Sequence, residues 1–253
     1  MSDDRNNLYL SKKDSDVTLV IGETELRAHR SILSEGSEYF QAMFSNNFIE
    51  AKSDRIILKE TNKHVFKVVL EYIYTRSVEY IYDDAIDSHS FDKIFAIFAC
   101  ARYYIVDDLV NEVLLFVEEN CPATQMLNNA IEYSIDELIT SSTMFFQANA
   151  HNIVKYETFE QLTPLAVEHL LKHRLNTRES TIFEALVKWM RTYPEDSAWF
   201  PHLLDYIDLY LIEKEQLNIL FAPTKLMNRN FCRNLLTPQR VLLKRRRRRR
   251  RNA

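Results

Sequence analysis

His169 and His173 stand four residues apart in a helical pattern, the spacing at which two imidazoles can reach one metal ion. The pair stops short of a site. Glu168 precedes the first histidine, so no HExxH motif can be read, and no third ligand is evident. His151, His202 and the acidic pairs Asp83-Asp84 and Asp107-Asp108 do not combine a nucleophile, a base and an oxyanion donor. A solvated helix face is the simpler reading of the two histidines, and neither a metal nor a cofactor is expected. Cys100, Cys121 and Cys232 are odd in number, widely spaced and without a CxxC, as in an intracellular protein with reduced thiols. Cys100 lies among Phe95, Phe98 and Ala101 and reads as a buried structural thiol. Only two glycines occur, Gly22 and Gly36. Phosphate-cradling loops, dinucleotide folds and the GxSxG elbow all need more glycine than that. The chain is expected not to be an enzyme, so its chemistry is the chemistry of contact.

The composition fits that reading. Of 253 residues, 46% are hydrophobic and 27% charged, enough for a real core in one large domain or two ordinary ones. The formal charge of −4 hides two unlike objects. Arg245 to Arg251 are seven consecutive arginines; without them 25 basic residues face 36 acidic ones, a net charge of −11. The run reads as a solvated low-complexity tail, as an import signal, or as a repeat expansion. With no interleaved aromatics it would attract nucleic acid only non-specifically and in a salt-dependent way. Met1-Ser2-Asp3-Asp4 is acidic where a secretory signal is basic, and no apolar run reaches the length of a membrane span. A cytoplasmic protein without membrane contact is expected, with nuclear entry open through the arginines.

The elements that position these residues change character along the chain. Val17, Leu19 and Ile21 alternate with Thr18 and Val20, Gly22-Glu23 supplies a turn, and Leu26 and Ala28 resume the period, which predicts a hairpin. Ile32 and Leu33 mark a first helix after the hairpin. Tyr39, Phe40, Met43 and Phe44 mark the apolar face of a second. Arg55 to Leu58 read as a short strand, and Thr61 or Asn62 can cap a helix carrying Val65, Phe66, Val69, Leu70 and Ile73. Residues 79–90 read as an exposed acidic loop. Two helices follow, ended by Pro122, which pushes its predecessor out of the α region. From Ala123 onward strands vanish, and helical patterns run over 124–133, 135–151, 164–172, 179–192, 198–208 and 213–221, with a weaker one near 228–237. Thr163-Pro164 reads as an N-cap with proline at the first helical position. Asn176-x-x-Glu179 reads as a capping box.

These anchors resemble a known family. Asp16-Val17, the hairpin, His29-Arg30-x-x-Leu33 and Ser37-x-Tyr39-Phe40-x-x-Met43-Phe44 are similar to the opening of the BTB/POZ domain. Tyr72-Ile73-Tyr74-Thr75 resembles the end of a later BTB helix. Arg76 stands where that family usually has glycine, so this turn is expected to be built differently. Phe159-x-x-Leu162, Leu170-Leu171, Leu175-Asn176-x-x-Glu179 and Phe183-Glu-Ala-Leu-x-x-Trp189 resemble the BACK domain, with a weakened continuation at Leu203-Leu204-x-x-Ile207 and Leu211. The resemblance implies an α+β, mostly α, architecture. A BTB/POZ fold of a short sheet with flanking helices spans residues 1–120, an all-α BACK-like array spans 121–243, and a basic tail spans 244–253. The layout looks like BTB–BACK proteins without kelch repeats.

The same resemblance implies partners. Phe48-Ile49-Glu50 matches an apolar-x-Glu motif by which BTB domains grip the N-terminal region of cullin-3, with Ser45 and Asn46 leading into it and Tyr103 and Tyr104 on the same surface. An aromatic anchor beside a carboxylate is a plausible binding hot spot with a polar rim. Asp16 and Arg30 match a charged pocket, either a structural ion pair or a peptide site. Leu8, Leu10, Ile32 and Leu33 are expected at a two-fold homodimer interface. The expected function is a substrate receptor or assembly subunit of a cullin-3 ubiquitin ligase, recruiting a protein substrate the sequence does not name. A non-delivering competitor for cullin-3, or a nuclear BTB regulator, stands beside it.

Overall fold

Val17, Leu19 and Ile21 turn inward along strand β1 (Val17–Ile21), while Thr18 and Val20 lie half-buried. Gly22 takes φ +58° and returns the chain into β2 (Thr24–Ala28), antiparallel to β1 with Val17 opposite Ala28. Helices α2 (Arg30–Gly36) and α3 (Glu38–Met43) carry the chain to β3 (Arg55–Ile57). That strand joins the other edge of β1 in parallel, with Leu19 opposite Ile56, giving the order β2-β1-β3. The computed structural model describes residues 2–45, 48–77, 82, 91–152 and 159–220, with side chains from Asn6 onward. The weak helix read near 228–237, most of the acidic loop and the arginine run lie outside the described residues.

The hairpin and the helices meet through a buried histidine. Lys13 O can only accept, so His29 Nε2, 2.7 Å away, carries the ring proton. Tyr74 Oη accepts the His29 backbone N–H at 2.9 Å and donates to Nδ1 at 2.8 Å. One imidazole thus ties the link after α1 (Ser2–Ser11), the start of α2 and the end of α4 (Lys63–Thr75). Gly36 allows the close approach of α2 to α4: a Cβ there would sit 2.7 Å from Ile73 Cγ2. Asn62, not Thr61, caps α4, accepting the N–H groups of His64 and Val65.

The end of α4 corrects an expectation. Arg76 adopts the left-handed conformation itself, φ 58° and ψ 31°, so the turn keeps the shape glycine would favour. Its guanidinium lies 3.0 Å from Asp108 and 5.7 Å from the centre of the Tyr72 ring. Those contacts offset part of a backbone cost of about 1 kcal/mol.

Helices α5 (Asp92–Tyr103) and α6 (Asp107–Asn120) complete the first of two compact units, Met1–Cys121. Cys121 is extended, as the residue before a proline should be. The second unit, Pro122–Ala253, contains only helices and turns among its described residues. Helices α7 (Ala123–Glu132), α8 (Asp136–Ala148), α9 (Pro164–Lys172) and α10 (Glu179–Thr192) are followed by two shorter ones, α11 (Phe200–Leu204) and α12 (Lys214–Leu217). Phe146, Phe159, Phe183, Leu186, Trp189 and Phe200 fill its core. The Trp189 Nε1–H donates to Leu162 O at 2.8 Å.

Thr163 caps α9 as the sequence predicts, its hydroxyl accepting the Ala166 N–H with Pro164 in the first turn. The capping box at Asn176 does not form. Helix α10 begins one residue after Arg178, and Glu179 accepts the backbone N–H of Asp208 at 3.1 Å instead. Tertiary pairing outcompetes the local loop. The single helix read over 198–208 is likewise shortened, to α11, and a 3-10 turn at Pro194–Ala198 leads into it.

Glu168 on α9 gathers Lys172 Nζ at 2.8 Å, His202 Nε2 at 2.8 Å and Tyr206 Oη at 2.9 Å. Hydrogen bonds from Lys172 first, and His202 next, hold its carboxyl down at about 2. A depressed carboxyl contributes stability above its unfolded value of about 4.3 and loses it as pH falls through the folded one. Wild type should therefore melt above Glu168→Gln at pH 5. The difference should close as the pH falls toward about 2, as thermal melts at stepped pH will measure.

Candidate docking surface

Tyr104 closes α5 and is the inner wall of the surface. Its ring stacks on Phe40 of α3 at 5.5 Å and 6°, and meets the edge of Phe66 of α4 at 4.8 Å. Its hydroxyl bonds Thr61 Oγ1 at 2.6 Å, and its carbonyl accepts the Ser37 hydroxyl at 2.5 Å. Ser37 is the hinge between α2 and α3, and its Oγ also accepts the Phe40 N–H. Tyr104 is 1% exposed. Expected as a surface contact, it is instead a core residue, because its neighbours enclose the ring on both faces.

Outside that wall lies a cleft of about 480 Å³, lined by Tyr39, Met43, Glu50, Ile57 and Tyr103 as well as Tyr104. Tyr39 packs against Tyr103 at 5.8 Å and on the edge of Tyr104 at 5.0 Å. Its phenol is pushed above the ordinary range, by burial first, then by Tyr103, and by the nearby Glu50 carboxylate. Of the apolar face read from the sequence, Tyr39, Met43 and Phe44 are half-buried and Phe40 alone is core. Tyr103 is 61% exposed at the rim.

The segment between α3 and β3 supplies the rest. Ile49–Lys52 form a 3-10 turn, with Phe48 extended ahead of it. Phe48 is 52% exposed and Ile49 87% exposed, so both present apolar surface to solvent, and Glu50 is half-buried in the cleft wall. Phe48 does not itself line the cleft. Ser45 sits half-buried after α3, its carbonyl accepting the Phe48 N–H, and Asn46 lies outside the described residues. Ile57 was not anticipated. Its signal was available: Ile56 and Leu58 alternate inward, so an apolar side chain between them must face out.

Asp16 and Arg30 meet, but not as an ion pair. The Asp16 carboxylate accepts the backbone N–H of Arg30 at 2.8 Å, and the guanidinium turns away to the carbonyls of Glu50, Ala51 and Ser53. The proposed two-fold contacts divide. Leu10 is 70% exposed and Leu8 half-buried on α1, whereas Ile32 and Leu33 are buried within the protomer, because α2 turns that face toward α4. Those two side chains are covered within the single chain. Elsewhere, burial pushes the Cys100 and Cys121 thiols up to about 12, unfit for nucleophilic work near neutral pH. The rings of His169 on α9 and His173 just after it lie 4.2 Å apart, tilted by 34°, with His169 Nε2 bonded to Thr143 and His173 Nδ1 to the His169 carbonyl. Among the described residues no cluster of three or more His, Cys, Asp or Glu is placed to hold a metal, and no helix is long and apolar enough to cross a membrane.

A small sheet flanked by helices, followed by a helical unit and bearing an aromatic, partly acidic contact face, defines a protein-interaction module. Comparison with known proteins gives its family. Residues 5–121 match the BTB/POZ domain and residues 123–221 match the BACK domain, described as "BTB And C-terminal Kelch". The chain is a BTB/POZ domain followed by a BACK domain. Human Kelch-like protein 7 is 25% identical over 219 residues, covering 84% of this chain and 36% of the relative. BTB/POZ domain-containing protein 9 of Drosophila melanogaster is 26% identical over 231 residues, covering 90% and 31%. The chain spans about a third of the length of these curated relatives. Among solved structures, the BTB domain of zebrafish PATZ1 aligns at 19% identity and a TM-score of 0.37, over 47% of this chain and 91% of its own.

The wall residue gives a test of the geometry. Tyr104→Phe should cost about 1 kcal/mol through the lost bond to Thr61. Tyr104→Ala should cost about 3–5 kcal/mol by opening a cavity behind the cleft, both read from denaturant unfolding.

Proposed function

We propose that this chain is a non-catalytic adaptor that docks on the N-terminal region of cullin-3 through its BTB unit and brings a protein substrate to the ligase. The observation that carries the reading is the placement of Phe48, Ile49 and Glu50. Exposed Ile49 and half-buried Glu50 line a cleft together with Tyr39 and Tyr103, and Phe48, next to them in the chain, is itself exposed. Exposed apolar groups grouped in this way are what interfaces use and isolated surfaces avoid. In a docked complex the Phe48 ring fills an apolar pocket on the scaffold, Ile49 packs beside it, and Glu50 meets a donor at the rim. Self-association through α1, where Leu10 is exposed, would double the assembly. We place this work in the cytoplasm, with nuclear entry through Arg245–Arg251.

Truncating a buried aromatic anchor costs on the order of 2 kcal/mol, roughly a thirtyfold loss of affinity. Phe48→Ala should weaken binding to the purified cullin-3 N-terminal region by that factor while leaving thermal stability near wild type, because the side chain is half exposed. Glu50→Ala should cost less, since a rim carboxylate keeps part of its solvation. Calorimetry of the purified pair measures both. Unchanged affinity in Phe48→Ala, or no binding by wild type, would remove cullin-3 from this face.

A further inference from the structure

We propose that Arg30 is the residue that holds the docking segment in shape, a positioning role that takes its purpose from the docking reading above but not its geometry. Its Nη1 donates to Glu50 O at 3.3 Å and Ala51 O at 3.2 Å, and its Nη2 donates to Ser53 O at 2.6 Å. The Phe44 ring lies against the guanidinium at 4.7 Å, and the Asp16 carboxylate fixes the Arg30 backbone from the opposite side. The segment it grips has little else to hold it. No residue of Ile49–Lys52 is buried; its own bonds run from Ala51 N–H to Phe48 O and from Ser53 N–H to Glu50 O, and beyond it the Ser53 hydroxyl donates to Arg55 O and accepts the Arg55 N–H. A single 3-10 turn does not hold itself in water.

The carbonyl end of a turn is its negative pole, the side at which a cation binds. A guanidinium meets several carbonyls there at once, because its donors are spread over a rigid plane. An ammonium on a flexible stem would reach fewer of them and would leave the stacking on Phe44 unmade. Fixing the carbonyl of Glu50 fixes the direction of its side chain and of Ile49 beside it. The entropy of ordering the segment is thus met before a partner arrives. Asp16 and Arg30 together are therefore a bracket for the contact motif rather than a separate pocket.

Arg30→Lys and Arg30→Ala in the full chain test this, with amide hydrogen exchange at Ala51 and Ser53 and calorimetric affinity for the cullin-3 N-terminal region. In both variants the two amides should exchange about tenfold faster while interior amides such as Val69 of α4 are unchanged. Affinity should fall about tenfold in each. Guanidinium ion, well below denaturing concentration, should restore protection and binding to Arg30→Ala but not to Arg30→Lys. Should wild type fail to bind cullin-3, the docking reading falls, and the exchange arm alone still judges Arg30. Wild-type exchange at Ala51 and Ser53 in both variants overturns the proposal, as does loss of protection equal to that of Val69.

Discussion

The enclosure of Tyr104 is the contact on which the contact-bearing unit depends. Its ring is shared between α3 and α4, its hydroxyl reaches the residue before the cap of α4, and its carbonyl takes the hydroxyl of the α2–α3 hinge. Two stretches far from it in sequence, 37–40 and 61–66, are thereby referred to one residue. The same ring is the back wall of the cleft, so the core and the candidate docking surface share an atom set. A surface built on such a wall keeps its shape because core packing, unlike loop conformation, has few alternatives.

In front of that wall the physics changes. The Phe48–Ser53 segment has no fully buried residue and a single 3-10 turn, and three of its carbonyls are held by one guanidinium. This division suits a contact site. Apolar groups must stay in water until a partner covers them, so they cannot be held by burial. They are held by polar anchors to their backbone, which leaves Phe48 and Ile49 exposed but not free to wander.

Much of the fold was legible from local pattern. The alternation in residues 17–28, the proline and threonine ahead of α9, and the boundaries 164–172 and 179–192 all follow from rules acting within a few residues. The misreadings share a cause. Glu179 abandons its loop for Asp208, Arg76 takes a glycine conformation with help from Asp108, and Asp16 binds an amide rather than a guanidinium. For Glu179 and Arg76 a partner distant in sequence decides the outcome, and for Asp16 the guanidinium it was paired with is taken by the carbonyls of Glu50, Ala51 and Ser53.

By itself the sequence determined the order of elements, and by resemblance it pointed to Phe48 and Glu50 as candidate contact residues. Apolar periodicity and backbone sterics act locally, so they are written into short windows. Only tertiary structure decided which apolar residues of one helical face were covered. Phe40 and Tyr104 went to the core and Tyr39 and Tyr103 to the cleft, while Ile32 and Leu33 were buried within the chain. Periodicity marks an apolar face, but how much of it disappears depends on what packs against it, and that partner comes from elsewhere in the chain.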